Sequence, residues 1–133
     1  MASWNERERE EIEFRIAAIK SFLELWHKYN AMFQRAYRQQ QEIPQEEEDE
    51  FLKLKSEIAR RHQYLLEYLG DEYKRGVPVT PYLSDTVTLK SMQGIHFDFY
   101  KKLRGQWHTT FLALNDALGD LMVHLEEQIP LEQ

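Results

Sequence analysis

Glu24-Leu25-Trp26-His27 sets a carboxylate and an imidazole three residues apart. On a helix that spacing puts both groups on one face, where they can share a metal ion. Bundles that hold two metal ions use two such elements plus two further inward carboxylates. Here the element occurs once, and a helical wheel turns Glu24 away from its apolar neighbours. Asp116, Asp120 and His124 form a second candidate, an i, i+4, i+8 ladder that hard or borderline divalent metals can use. Its simpler reading is a polar flank beside a core. His62 and His96 fall on or near apolar seams. Such histidines are usually hydrogen-bonded core residues, though a pH-sensitive switch is also physically open to them. Metal binding through Glu24, His27, Asp116, Asp120 and His124, in the manner of a di-metal carboxylate bundle, therefore stands only as an alternative. No cofactor is expected.

Other chemistry has less support. The chain has no cysteine, which excludes disulfides, thiol catalysis and cysteine zinc sites. Nothing suggests a Ser-His-Asp arrangement, and Gly94 and Gly105 stand alone, so no phosphate-cradling loop is present. The chain is read as non-enzymatic. Trp4, Trp26 and Trp107 belong to an aromatic complement that could line a ligand pocket in the core. A small-ligand sensor is thus a second alternative, although aromatics of this kind more often serve as packing. The formal charge of −6 argues against nucleic acid, whose binding rests on neutralised phosphates. Lys101, Lys102 and Arg104 make a local basic cluster that reads as a solvated helix face. No stretch approaches the roughly 20 apolar residues that span a bilayer. Met1 to Lys20 has no apolar run of signal-peptide type, and a cytoplasmic location is expected.

The elements that must position these residues are helices, since 5 Gly and 4 Pro are too few for an all-β chain full of turns. Helix one is expected from about Asn5, a plausible N-cap, to Gln41. Its seam of Ile12, Ile16, Ile19, Leu23, Trp26, Asn30, Phe33 and Tyr37 alternates steps of four and three. Pro44 stops it. Helix two is expected over 45–75, with a kink at Gly70. Phe51, Leu54, Ile58, Leu65, Leu69 and Tyr73 lie along one side, and the acidic run Glu46 to Glu50 loads its N-terminus with favourable charge. Gly76 to Leu83 reads as a linker. Helix three is expected over 84–129, from an N-cap at Ser84, or at Ser91, to a stop at Pro130. Its seam runs from Leu89 and Met92 through His96, Leu103 and Trp107 to His124, and slips once beside Gly105. Lengths of about 55, 46 and 69 Å at 1.5 Å per residue suit an up-down-up antiparallel bundle in one domain over 1–133. Asn30 and Arg61 interrupt the seams, with Arg15 beside one of them. Buried polar groups of this kind can set register and partner choice.

Helix one carries a second apolar stripe of Phe14, Ala18, Phe22, Leu25, Tyr29, Met32 and Ala36 beside the seam. The two together cover about half the circumference, against a stripe of about 100° on an ordinary surface helix. Two neighbours should not cover that much. Either another chain completes the core, or helix three breaks at Gly105 and folds back as a fourth helix. Association is favoured, because Arg104-Gly105-Gln106 offers one glycine and no proline for a turn. On helix three, Gly94, Gly105 and Gly119 fall within about 40° of one another opposite the seam. Leu112 and Val123 share their line. The expected function is therefore a protein interaction module without membrane or nucleic-acid partners. It should bind a second copy of itself or another protein, forming a homo-oligomer through Phe14, Phe22, Leu25, Tyr29 and Met32, with Gly94, Gly105, Leu112 and Gly119 as a further contact surface.

Overall fold

The computed structural model describes residues 6–69 and 77–131, those from 128 onward in backbone alone. The described residues are helical with no strand, in an all-α bundle of five helices. They are α1 (Glu6–Arg38), α2 (Gln45–Leu69), α3 (Val79–Asp85), α4 (Leu89–Met92) and α5 (Phe97–Leu131). Asn5, Trp4, the kink at Gly70, Tyr73 and the expected end of helix two near Arg75 lie outside the described residues.

Contacts fix the directions. α2 runs antiparallel to α1, since Phe51 stacks on Tyr29, Arg61 reaches Ser21, and Tyr64 and Tyr68 meet Phe14. α5 is also antiparallel to α1, since Tyr100 stacks on Tyr37 and Trp107 on Trp26. Between them the chain climbs back through α3, beside Trp26 and Tyr29, and α4, whose following Gln93 bonds the carbonyls of Gln39 and Gln41. The order is therefore up, down, up, down. The third rung is short and broken, and the long last helix descends where a climbing helix three was expected.

The expected linker is largely α3. Pro81 sits in its first turn, where a missing N–H breaks no helical bond. Ser84 lies inside α3 and caps nothing. α4 is capped by Thr88, whose hydroxyl accepts from the Ser91 N–H while the Ser91 hydroxyl accepts from the Thr88 N–H. Gly94 is not helical. Its φ of +72° makes the turn into α5, which removes it from the expected glycine line. His96 leaves the seam for the exposed start of α5, where Nδ1 accepts from the Asp98 N–H. α1 stops at Arg38, three residues before the expected Gln41. There the core takes in Ile43, and Gln93 and Gln39 bind the loop carbonyls. α5 passes unbroken through Gly105, so no fold-back occurs, and it extends to Leu131 through Pro130.

The wide face of α1 is covered by the chain itself. Phe22, Tyr29, Met32 and Ala36 are buried, Ala18 and Leu25 are partly buried, and only Phe14 stands 47% exposed. α1 has three neighbours rather than two: α2, α5, and the α3–α4 rung that fills the gap between them. Val79, Tyr82, Leu83, Leu89 and Met92 on that rung belong to the same core. Among the described residues α2 and α5 make no close backbone approach to each other.

Side chains from α2 hold the rung down. The Lys55 ammonium donates to the carbonyls of Thr86 (2.6 Å) and Val87 (3.1 Å) just past the C-terminus of α3, a position that favours a cation. Burial pulls its pKa below the usual lysine value. Glu48 accepts from the Leu89 N–H (2.7 Å) and the Lys90 N–H (3.2 Å), so one member of the acidic run caps α4. Replacing Glu48 by alanine strands both donors and should cost about 1–2 kcal/mol. The test is a lowered urea midpoint together with faster hydrogen exchange at the Leu89 and Lys90 amides. An unchanged midpoint would show that this cap contributes nothing.

Candidate docking face

A pair of indoles sets the rotation of α5 about its own axis. Trp26 and Trp107 lie nearly parallel, with ring centroids 6.4 Å apart. Each Nε1–H donates to the other residue's backbone carbonyl, at 3.1 Å and 3.0 Å. His27 packs edge-on against Trp107 and Phe111. Around this clamp Leu103, Thr110, Leu114 and Ala117 turn inward. Their 3.6-residue period then sends Gly105, Leu112, Gly119 and Val123 outward. Leu112 is 50% exposed and Val123 52%, with Met122 beside them. A Cβ added at Gly105 or Gly119 would meet no atom within 4 Å, so packing within the chain does not require either glycine.

Charge divides this face along its length. The upper half carries Lys101, Lys102, Arg104 and His108, and the lower half Asp116, Asp120, Glu126 and Glu127. Among the described residues Lys102 pairs with Asp85 at 3.8 Å, whereas Lys101 and Arg104 have no carboxylate in salt-bridge range; Asp98, at the top of the same helix, has its carboxylate 3.7 Å from His96 Nδ1. Their cations lie near the rings of Phe97 and Tyr100. Arg104 and Lys101 border a groove of about 540 Å³ between α1 and α5 that Asn30, Gln34, Arg38, Tyr100, Trp107 and His108 also line, with no carboxylate in its wall. Tyr100 donates to Gln34 Oε1 across it, and Asn30 Oδ1 is buried there without a protein partner.

The buried polar groups serve the frame. The Thr86 hydroxyl donates to the Tyr82 carbonyl (2.7 Å), which leaves the Tyr29 hydroxyl to donate to Thr86 Oγ1 (2.6 Å). Burial pushes the pKa of both Tyr29 and Tyr82 above the ordinary tyrosine range. His62 is buried, and desolvation lowers its pKa below the usual histidine value. Arg61 bonds Ser21 and Glu57 at the flank of α2 rather than breaking the core, and Arg15 pairs with Glu11.

The residues weighed for metal chemistry are dispersed. Glu24 is exposed on α1, and His27 belongs to the aromatic packing. Asp120 and His124 border a groove of about 560 Å³ with Glu8, Glu11 and Arg15, while Asp116 is not in its wall. Among the described residues no three histidine or acidic side chains form a group able to hold a metal ion. No described helix is long and apolar enough to cross a membrane. Of the residues weighed for interaction, Phe22, Tyr29 and Met32 are core, Leu25 is partly buried against it, and Gly94 is a turn. Gly105, Leu112 and Gly119 share one open face. Phe14 lies apart from them, against Tyr64 and Tyr68. The charge division of α5 leaves no periodic signal, but the order of its charged residues displays it. No protein-family model matches this chain, and neither does any curated protein or solved structure.

Proposed function

We propose that this chain is a non-enzymatic helical-bundle interaction module, and that it self-associates through the outward face of α5. The observation that carries the reading is Leu112, Val123 and Met122 standing about half exposed on a helix whose opposite side is locked into the core. Apolar side chains grouped on one open face mark contact surfaces more often than isolated ones do. The two glycines on that face add support. Each costs helix stability of about 1 kcal/mol relative to alanine, with no packing return inside the chain. Helix one is not the surface, because α2, α5 and the α3–α4 rung already cover all of its stripe but Phe14.

Light scattering across a wide concentration range tests this. The wild-type mass should rise toward twice the chain mass. The Leu112→Lys, Val123→Lys double variant should keep its helix content and remain at the monomer mass. A wild type that stays monomeric at the highest concentration would sink the reading.

A further inference from the structure

The order of charges along α5 specifies how two copies would meet. We infer that the chain forms a two-fold symmetric dimer in which the α5 helices pack antiparallel, centred on Leu112. This rests on the self-association proposed above and adds its geometry.

A two-fold interface uses the same patch on both partners, so the patch must complement itself. Parallel α5 helices would set the basic half against the basic half and the acidic half against the acidic half. Antiparallel helices set each basic half against an acidic one. Antiparallel helices related by a two-fold axis bring the same flank of each together, so with Leu112 at the centre Lys101 lies on the flank of the second copy's Glu126, within about one helical turn of it along the axis, and Lys102 on the flank of its Asp120. Lys101, which among the described residues has no carboxylate in salt-bridge range, then gains one from the second copy. The glycines agree with the same centre. Gly105 and Gly119 stand seven residues either side of Leu112, so each faces the other's counterpart and the backbones can approach there. Charge on this face sets orientation, while Leu112 and Val123 supply the apolar contact.

The chain has no cysteine, which makes directed cross-linking clean. Gly105→Cys and Gly119→Cys place thiols where the structure has open space. Under mild oxidation a mixture of the two variants should form the mixed disulfide at least about tenfold faster than either variant links to itself. Faster self-linking of each variant would overturn the inference in favour of parallel pairing. A wild type that dimerises while neither the mixture nor either variant cross-links would place the interface elsewhere, overturning this geometry but leaving self-association standing. A wholly monomeric chain would overturn both.

Charge reversal gives an independent reading. Lys101→Glu should weaken dimerisation about tenfold, and adding Glu126→Lys in the same chain should restore it. Higher salt should weaken the wild-type dimer through screening. Failure of the double variant to recover, with its fold intact by circular dichroism, would also overturn the antiparallel register.

Discussion

Trp26→Ala should destabilise the fold by about 3–5 kcal/mol, the range for removing a large aromatic from a packed core. Trp26 is fully buried and touches three elements at once. It stacks on Phe22 within α1, meets Tyr82 of α3 at 5.0 Å between ring centroids, and lies parallel to Trp107 of α5. The substitution removes that volume and the Nε1 donor to Trp107, and leaves the Trp107 indole stacked on a void. A small domain has only about 5–15 kcal/mol in hand, so a loss of this size spends much of it. Urea unfolding followed by far-ultraviolet circular dichroism would measure the effect. Trp107→Phe gives the internal comparison, because it keeps a ring in place and removes the donor to the Trp26 carbonyl. Its expected cost is about 1 kcal/mol. A Trp26→Ala loss below that of Trp107→Phe would show that the stacked pair does not hold α1 to α5.

Met32→Lys should cost about 3 kcal/mol or more, because it puts an ammonium where apolar packing leaves it without partners. Met32 is only 6% exposed. The same change at Leu112 should move stability by no more than about 0.5 kcal/mol, as surface substitutions do. The pair of variants separates the two places where the apolar pattern exceeds an ordinary helix stripe. Met32→Lys should shift the unfolding midpoint, while Leu112→Lys should leave it in place and lower only the fraction of dimer. Equal midpoints for Met32→Lys and wild type would show that the stripe of α1 is not core. A large stability loss at Leu112 would show that the outward side of α5 is packed within the chain.

These contrasts turn on surfaces that the sequence presents alike. The stripe of Phe22, Tyr29 and Met32 on α1 and the line of Leu112 and Val123 on α5 both read as apolar excess. A helical wheel shows where a side chain points but not what stands opposite it. The unrecognised element was the α3–α4 rung. Its seven-residue and four-residue helices are too short to carry a periodic signal, and its prolines resemble those of a loop. Its partners, Lys55 and Glu48 on α2, are ordinary charged residues in an ordinary helix until the tertiary fold brings the Thr86 carbonyl and the Leu89 amide to them. The metal candidates dispersed for a related reason. A spacing of three or four puts groups on one helix face, but only a second helix at the right rotation makes them converge.

The local code decided what is local. Periodicity in steps of three and four determined that α1 and α2 exist, and the start of α2 at Gln45 follows from Pro44 and the acids behind it. The scarcity of glycine and proline, together with that periodicity, determined the all-α class, and the charge order of α5 is plain in the sequence. Packing alone decided the rest. It reversed the last helix, turned the expected linker into a rung, and buried the face of α1 that looked unsatisfied. Burial depends on every neighbour at once, and no single segment records how many neighbours it will have.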